Sequence, residues 1–140
     1  MALHDYNFAH CAILVDGLPV EGFNGDDGVE IAYESDVWTS EAGADGEVVR
    51  SATNDRRATI TFHLNETSAL NAFFRAKVLV GRTAGIGDTF SFFLKDLHTG
   101  ETVTAPQCWV QTDPGVTKAR AAGARDWVCM GADVTITGGL

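Results

Sequence analysis

Short apolar runs separated by turn signals dominate the chain. The turn signals are Asp16-Gly17, Asn24-Gly25, Asp27-Gly28, Asp45-Gly46, Thr99-Gly100, Asp113-Pro114-Gly115 and Gly138-Gly139. Between such turns, residues 59–64 alternate strictly, so we expect Ile60, Phe62 and Leu64 to face a core and His63 to lie on the surface. This pattern predicts a sheet protein with tight hairpins.

Further strands follow from the same reasoning. They are predicted at residues 9–15 and 18–23 as a first hairpin, then at 29–35, 89–95 and 102–110, and finally along one last strand through Val128, Met130, Ala132, Val134 and Ile136. Pro106 cannot donate to a ladder, so it predicts that strand 102–110 is an edge strand or carries a bulge. Trp127 and Cys129 lie opposite the main apolar face of the last strand. We therefore expect the first half of that strand to be covered on both faces.

One helix is predicted at about residues 66–79. Its apolar positions recur at helical spacing: Leu70, Phe73, Phe74 and Val78. We expect Asn65 or Thr67 to cap its start and Gly81 to end it. The fold class is therefore mainly β: a single domain over residues 1–140, β-sandwich or barrel-like, with one flanking helix.

A long acidic segment at about residues 36–57 is predicted to form an extended hairpin arm that turns at residues 44–47. Its exposed apolar side chains would promote aggregation of a monomer, but they suit an arm that packs on a neighbour. The predicted subunit-interface residues are Val37, Trp38, Asp45, Gly46, Glu47, Val48, Val49, Arg50, Arg56 and Arg57.

Charge is divided unevenly along the chain. Residues 1–49 hold eleven acidic residues and no lysine or arginine, whereas all ten basic residues lie from Arg50 onward with eight acids. The balance is therefore −11 for the first part and +2 for the second, which gives the net charge of −9. This division disfavours nucleic-acid binding through a basic groove, because phosphate contacts dominate such binding. It leaves open a solvated acidic face, or a head-to-tail contact between acidic and basic parts of neighbouring copies.

Composition and length fit a globular protein. The 140 residues are 45% hydrophobic and 21% charged, and no apolar run approaches the length of a membrane span. Residues 1–5 show no leader pattern, so we expect the protein to be made and kept in a cytoplasm. Cys11, Cys108 and Cys129 lack metal-ligand spacing and are expected to be buried small hydrophobic residues.

Candidate chemistry is weak. The glycine-rich residues 81–87 follow a helix and lack the lysine of a phosphate-binding loop, so they predict a connector. Residues 24–30 cluster three acids without the ligand spacing of a calcium loop. His4, His10, His63 and His98 share no spacing with cysteines or carboxylates. We expect no cofactor, no metal and no enzymatic activity.

Four segments carry a resemblance to a known family. Residues 43–51 (GADGEVVRS), 57–64 (RATITFHL) and 67–72 (TSALNA) place a turn before an alternating strand and a capped helix, and residues 127–139 add a similar C-terminal strand. In this arrangement the chain resembles the tail tube proteins of contractile-tailed phages, which are related in fold to the tube of type VI secretion systems.

The resemblance implies a structural virion protein. Six copies would close into a ring whose inner strands form a continuous barrel, and rings would stack into a hollow tube. DNA would pass through it, a tape-measure protein would occupy it earlier, and a tail sheath would surround it. Assembly would take place in the cytoplasm of a bacterial host. Other tail, baseplate or capsid-decorating roles, and a monomeric ligand-binding sandwich, remain alternatives.

Overall fold

The computed structural model describes residue 3, residues 6–23 and residues 28–139. After a short 3₁₀-helix at Phe8–His10, the strands are β1 (Cys11–Val15), β2 (Leu18–Pro19), β3 (Val29–Tyr33), β4 (Trp38–Ala42), β5 (Val48–Ala52), β6 (Ala58–Asn65), β7 (Phe90–Asp96), β8 (Thr102–Thr112), β9 (Ala124–Gly131) and β10 (Thr135–Thr137). The helix α1 (Leu70–Ala84) separates β6 from β7. Strand makes up 46% of the described residues, which confirms the mainly β prediction.

One large antiparallel sheet holds eight of these strands. Its order is β2-β1-β7-β8-β9-β6-β3, with β10 paired to the first part of β8. Its path is open, because β2 and β3 end it without pairing to each other among the described residues. Even so, a single cavity of about 530 Å³ is lined by Cys11 of β1, Ile31 of β3 and Val103 of β8. The sheet therefore curls until strands from its two ends face one another.

The alternation in β6 determines where the core lies. Ile60, Phe62 and Leu64 are fully buried, as predicted, and so is Ala58, because every second side chain points to the same face. His63 is less exposed than expected, with 21% of its side chain accessible, because Nδ1 lies 2.9 Å from Asp126 on β9. His63 thus lies on the outward face of β6, as predicted, and is half-buried there.

The helix covers the inner face of the sheet. Phe74 is fully buried and contacts Phe62 and Trp127, with ring centroids 5.2 and 5.3 Å apart. The Trp127 indole N–H donates to Asn71 Oδ1 at 2.8 Å, so the largest core side chain keeps its hydrogen bond. Each such aromatic side chain contributes about 1.5–3 kcal/mol through burial.

The predicted helix exists, but its bounds are shifted. Ser68 is held outside the helix because its hydroxyl donates to the Glu21 carbonyl at 2.6 Å. The predicted caps Asn65 and Thr67 therefore precede the true start by several residues. At the other end the helix passes through Gly81 and ends at Gly85, whose φ is +74° and whose N–H bonds to the Gly81 carbonyl at 2.9 Å. A left-handed residue of this kind is the usual place for glycine.

Gly81 has a packing role instead of a capping one. A Cβ atom at this position would lie 2.7 Å from Asp88 Oδ2, so the missing side chain lets Asp88 approach the helix. The prediction that residues 81–87 form a connector is therefore wrong for residues 81–84, which are helical.

Two strand predictions are refined. Phe90 pairs with Cys108 and Phe92 with Ala105. One residue separates the two phenylalanines, whereas two residues, of which Pro106 is one, separate their partners on β8. Strand β8 therefore has one extra residue at this point. Of the two alternatives for Pro106, the bulge is confirmed. The prediction of a single last strand is wrong. The chain bends at residues 132–134, so β9 pairs with the second part of β8 and β10 pairs with its first part.

Candidate assembly interface

The predicted arm is a separate hairpin on the surface. Strands β4 and β5 pair with each other, in register Trp38↔Ala52 through Ala42↔Val48, and with no other strand of the described ranges. Every residue from 36 to 52 is exposed. The accessible fractions are 71% for Val37, 48% for Trp38, 65% for Val48 and 61% for Val49. Apolar side chains of the arm thus face solvent instead of the core of their own chain.

The two faces of the arm differ in chemistry. Strand alternation and the register put Trp38, Ser40, Ala42, Val48, Arg50 and Ala52 on one face, here called the aromatic face. The other face, here called the acidic face, carries Val37, Thr39, Glu41, Glu47, Val49 and Ser51. The only cation of residues 36–52 therefore lies on the face opposite Glu41 and Glu47.

Arg50 and Trp38 form one unit on the aromatic face. The Arg50 guanidinium carbon lies 4.1 Å from the centre of the Trp38 ring. The two residues are diagonal neighbours, because Arg50 pairs with Ser40, two positions after Trp38. Such a contact stabilises an exposed site by about 0.5–1 kcal/mol and holds the indole in one orientation before any partner arrives.

A compact turn closes the arm. The Gly43 N–H donates to the Glu47 carbonyl at 2.8 Å, and the Gly46 N–H donates to the Gly43 carbonyl at 3.0 Å. Asp45 Oδ1 accepts from the Glu47 N–H at 3.1 Å, and Gly46 has a φ of +87°, which favours glycine. Asp45 and Gly46 therefore shape the tip of the arm.

The root of the arm is held by a clamp of three side chains. Arg57 donates to both Asp55 oxygens, Nε to Oδ1 at 2.9 Å and a terminal nitrogen to Oδ2 at 3.0 Å. The Ser35 hydroxyl donates to Asp55 Oδ2 at 2.8 Å, which joins the two chain segments that enter and leave the arm. The Arg57 guanidinium, and after it the Ser35 hydroxyl, hold the pKa of Asp55 well below its usual range.

The ten predicted interface residues thus divide into two groups. Eight of them, Val37, Trp38, Asp45, Gly46, Glu47, Val48, Val49 and Arg50, lie on the exposed arm. Arg57 belongs to the clamp at the root, and Arg56 beside it lies 3.7 Å from Asp133. Sequence reasoning missed Glu41, Ser35 and Asp55. Alternation from Val37 would have found Glu41, but no local pattern relates Ser35 to Asp55, which lies 20 positions later.

The other candidate chemistry gains no support. Within the described ranges, no group of three histidine, cysteine or acidic residues is close enough to hold a metal ion. Residues 24–27 of the weak calcium candidate, and His4, lie outside those ranges. Cys108 and Cys129 are buried, as expected, and burial raises the pKa of the Cys108 thiol to about 11; Cys11 is half-buried. The part of the chain that the structure describes includes no helix long and apolar enough to span a bilayer.

Solved structures share this fold at low sequence identity. A chain of the tube-terminating cap of the anti-feeding prophage has a TM-score of 0.61 at 10% identity, covering 99% of this chain and 94% of that chain. A chain of the sheath-tube complex of an extracellular contractile injection system (PVC) in the extended state also has 0.61 at 10%, covering 96% and 93%. A chain of the virion of a native gene transfer agent particle has 0.55 at 12%, covering 97% and 100%.

Sequence comparison identifies the family to which this chain belongs. No curated protein sequence matches the chain significantly. The family model described as bacteriophage PhiTE tail tube protein, however, matches residues 15–139, which include the arm, its root and all but the first strand positions of the large sheet. The expected resemblance is thereby confirmed, and the chain belongs to the bacteriophage PhiTE tail tube protein family.

Proposed function

We propose that this chain is a non-enzymatic, single-domain subunit that builds a phage tail tube from copies of itself. Six copies close into a ring, and rings stack around a lumen through which DNA passes. The exposed arm makes contacts between copies, through the ten interface residues predicted from the sequence. Assembly takes place in the cytoplasm of the bacterial host, and the finished tube belongs to the virion tail.

The observation that carries this proposal is the exposed arm. An isolated two-stranded hairpin is marginally stable in water, and it gains stability when another surface covers it. Here four large apolar side chains, Val37, Trp38, Val48 and Val49, lie on such a hairpin at 48–71% exposure. A neighbouring copy would cover these side chains, so that they form a specific contact instead of promoting aggregation.

The open sheet supports ring closure. Strands β2 and β3 end the sheet, so each presents backbone groups on its outer side that have no strand partner among the described residues. Pairing between the sheets of adjacent copies would satisfy these groups and remove the edges, as closed barrels do. A ring of identical copies achieves this at every junction.

The charge of the chain suits passage of DNA. A net charge of −9 repels the phosphate backbone, so DNA slides along the lumen instead of adhering to it. Outside the ring a sheath surrounds the tube, as in the sheath-tube complex of similar fold. A tape-measure protein occupies the lumen before DNA does.

A terminating role is the second candidate. The tube-terminating cap has the same TM-score of 0.61 as the chain of the sheath-tube complex. A terminator forms a single ring, whereas a tube subunit forms stacks of indefinite length. Negative-stain electron microscopy of the purified chain separates the two, because only the tube subunit gives long filaments of constant width.

Deleting residues 40–50 tests the role of the arm. The shortened chain retains the large sheet, so we expect a cooperative urea transition, but no tubes in negative stain. Tubes of normal length from this variant would contradict the proposal. Leu97→Ser is the matched control, because it removes a side chain of 66% exposure outside the arm, and it should leave tubes unchanged.

A further inference from the structure

A basic surface lies on the helix side of the molecule. The helix α1 has no acidic residue and three cations, Arg75, Lys77 and Arg82. The irregular segment 113–123 adds Lys118 and Arg120, both exposed. We use the term basic face for Leu79, Arg82, Val116, Lys118 and Arg120. Leu79 and Val116 are 67% and 62% exposed, so this face combines cations with apolar side chains.

The segment 113–123 is fixed against the helix. The Gly115 carbonyl accepts hydrogen bonds from Arg75 and from Arg125, the latter at 3.3 Å. Arg75 lies 3.5 Å from Asp113, and the largely buried Arg125 lies 3.6 Å from Glu66. Lys118 follows Gly115 by three residues, so its Cα lies within about 11 Å of this anchor.

Helix geometry puts Arg82 on the same side as the anchor. Seven residues make nearly two turns, so Arg82 lies on the same stripe as Arg75, about 10 Å further along the helix. Leu79 falls between them on that stripe. Arg75 and Arg125 have acidic partners, but Arg82, Lys118 and Arg120 form no ion pair with any described residue. Their charge is available to a second molecule.

The acidic face of the arm has the complementary composition. Glu41 and Glu47 form no ion pair with any residue that the structure describes, and Val37 and Val49 add exposed aliphatic area beside them. Arg50 lies on the opposite face, over Trp38, so it does not neutralise them. The arm and the basic face therefore both expose two aliphatic side chains next to unpaired charges of opposite sign.

We infer that the acidic face of the arm binds the basic face of a second copy of this chain. Two different surfaces meet in this contact, so every copy offers one of each, and the contact repeats from copy to copy without closing on a pair. Opposite charge orients the encounter, and the aliphatic side chains become covered. The inference rests on the proposed function, because it names the partner surface of the assembling arm.

Charge reversal with rescue tests this inference on purified full-length chain without any sheath protein. We expect Lys118→Glu with Arg120→Glu, or Glu41→Lys with Glu47→Lys, to raise the protein concentration needed for half-maximal tube assembly roughly tenfold or more. The chain that carries all four substitutions restores opposite charge with the polarity exchanged, so it should assemble near the wild-type concentration. Light scattering and negative-stain imaging give both readouts.

A matched control separates a local contact from net charge. Arg120→Glu and Lys95→Glu change the charge equally, but Lys95 is an exposed residue of β7 in the large sheet, outside the basic face. We expect only Arg120→Glu to weaken assembly. Equal effects of the two, or no rescue in the fourfold variant, would overturn the inference.

The outcomes also separate the inference from the function beneath it. Failure of the wild-type chain to form tubes under any condition would contradict the proposed function itself. Wild-type tubes that persist unchanged in both double variants would contradict only the binding of the arm to the basic face.

Discussion

Two neighbouring strands, β5 in the arm and β6 in the core, show how one chain uses similar sequence for opposite purposes. Both are rich in β-branched residues, and only five residues separate them. In β6 every second residue is buried, and Ile60, Phe62 and Leu64 are fully inaccessible. In β5 every residue is exposed, and Val48 and Val49 face solvent.

The two strands differ in what covers their side chains. Strand β6 lies between β3 and β9 and under the helix, so its side chains stabilise the fold of their own chain. Among the described residues, strand β5 has one partner strand and no covering layer. Substitutions in β6 should therefore reduce folding stability, whereas substitutions in β5 should reduce assembly.

Phe62→Ala should give the largest change. Phe62 is fully buried against Phe74 and Phe92, so we expect a loss of about 3–5 kcal/mol in the free energy of unfolding. Urea denaturation followed by circular dichroism measures this loss. A change below about 1 kcal/mol would show that β6 is not the centre of the core.

Trp127→Phe should give an intermediate change. The substitution leaves the buried Asn71 Oδ1 without its indole donor, which we expect to lower the free energy of unfolding by about 1–3 kcal/mol. Trp109→Phe is the control, because Trp109 is only half-buried and makes no side-chain hydrogen bond to a described residue. Equal losses in the two variants would contradict the assigned role of the Asn71 bond.

Trp38→Ala should barely affect folding. It removes the contact with Arg50, so the free energy of unfolding should fall by no more than about 1 kcal/mol. Tube assembly, measured by sedimentation, should nevertheless weaken strongly. A large loss of folding stability with normal sedimentation would place Trp38 with the core residues instead of the assembly residues.

Asp55→Asn should give the smallest change, which is present at neutral pH and disappears in acid. Arg57 and Ser35 depress the pKa of Asp55 in the folded state below its ordinary value of 3.8. The Asp55 carboxylate thus stabilises the fold fully above about pH 3.8, and this contribution is lost as the pH falls towards the folded-state pKa. Unfolding curves from pH 7 to lower pH should show less acid sensitivity in the variant; identical pH profiles would count against the clamp.

Local patterns in the sequence predicted much of this fold. Strict alternation identified β6 and its buried face, and the turn dipeptides Asp16-Gly17 and Asp45-Gly46 marked both early hairpins. The helix bounds were missed because contacts distant in sequence set them. Ser68 bonds to Glu21, and Gly81 accommodates Asp88, and neither contact has a signal in helix propensity.

The order of strands and the chemistry of the interface were harder to predict. Strand β1 pairs with β7, about 80 positions later, and the break at residues 132–134 moves β10 beside the start of β8. Neither pairing has a local signal. The arm itself followed from its length, acidity and apolar residues, but the separation of Glu41 and Arg50 onto opposite faces required the register of β4 and β5.

Hydrogen exchange across residues 38–52, compared between the unassembled chain and its assemblies, tests the central claim most directly. In the unassembled chain the described residues give the hairpin no ladder besides its own, so we expect its amides to exchange much faster than those of β6. In tubes, the same amides should gain strong protection because a neighbouring copy covers them. Arm amides that exchange equally fast in tubes and in free chains would contradict the account.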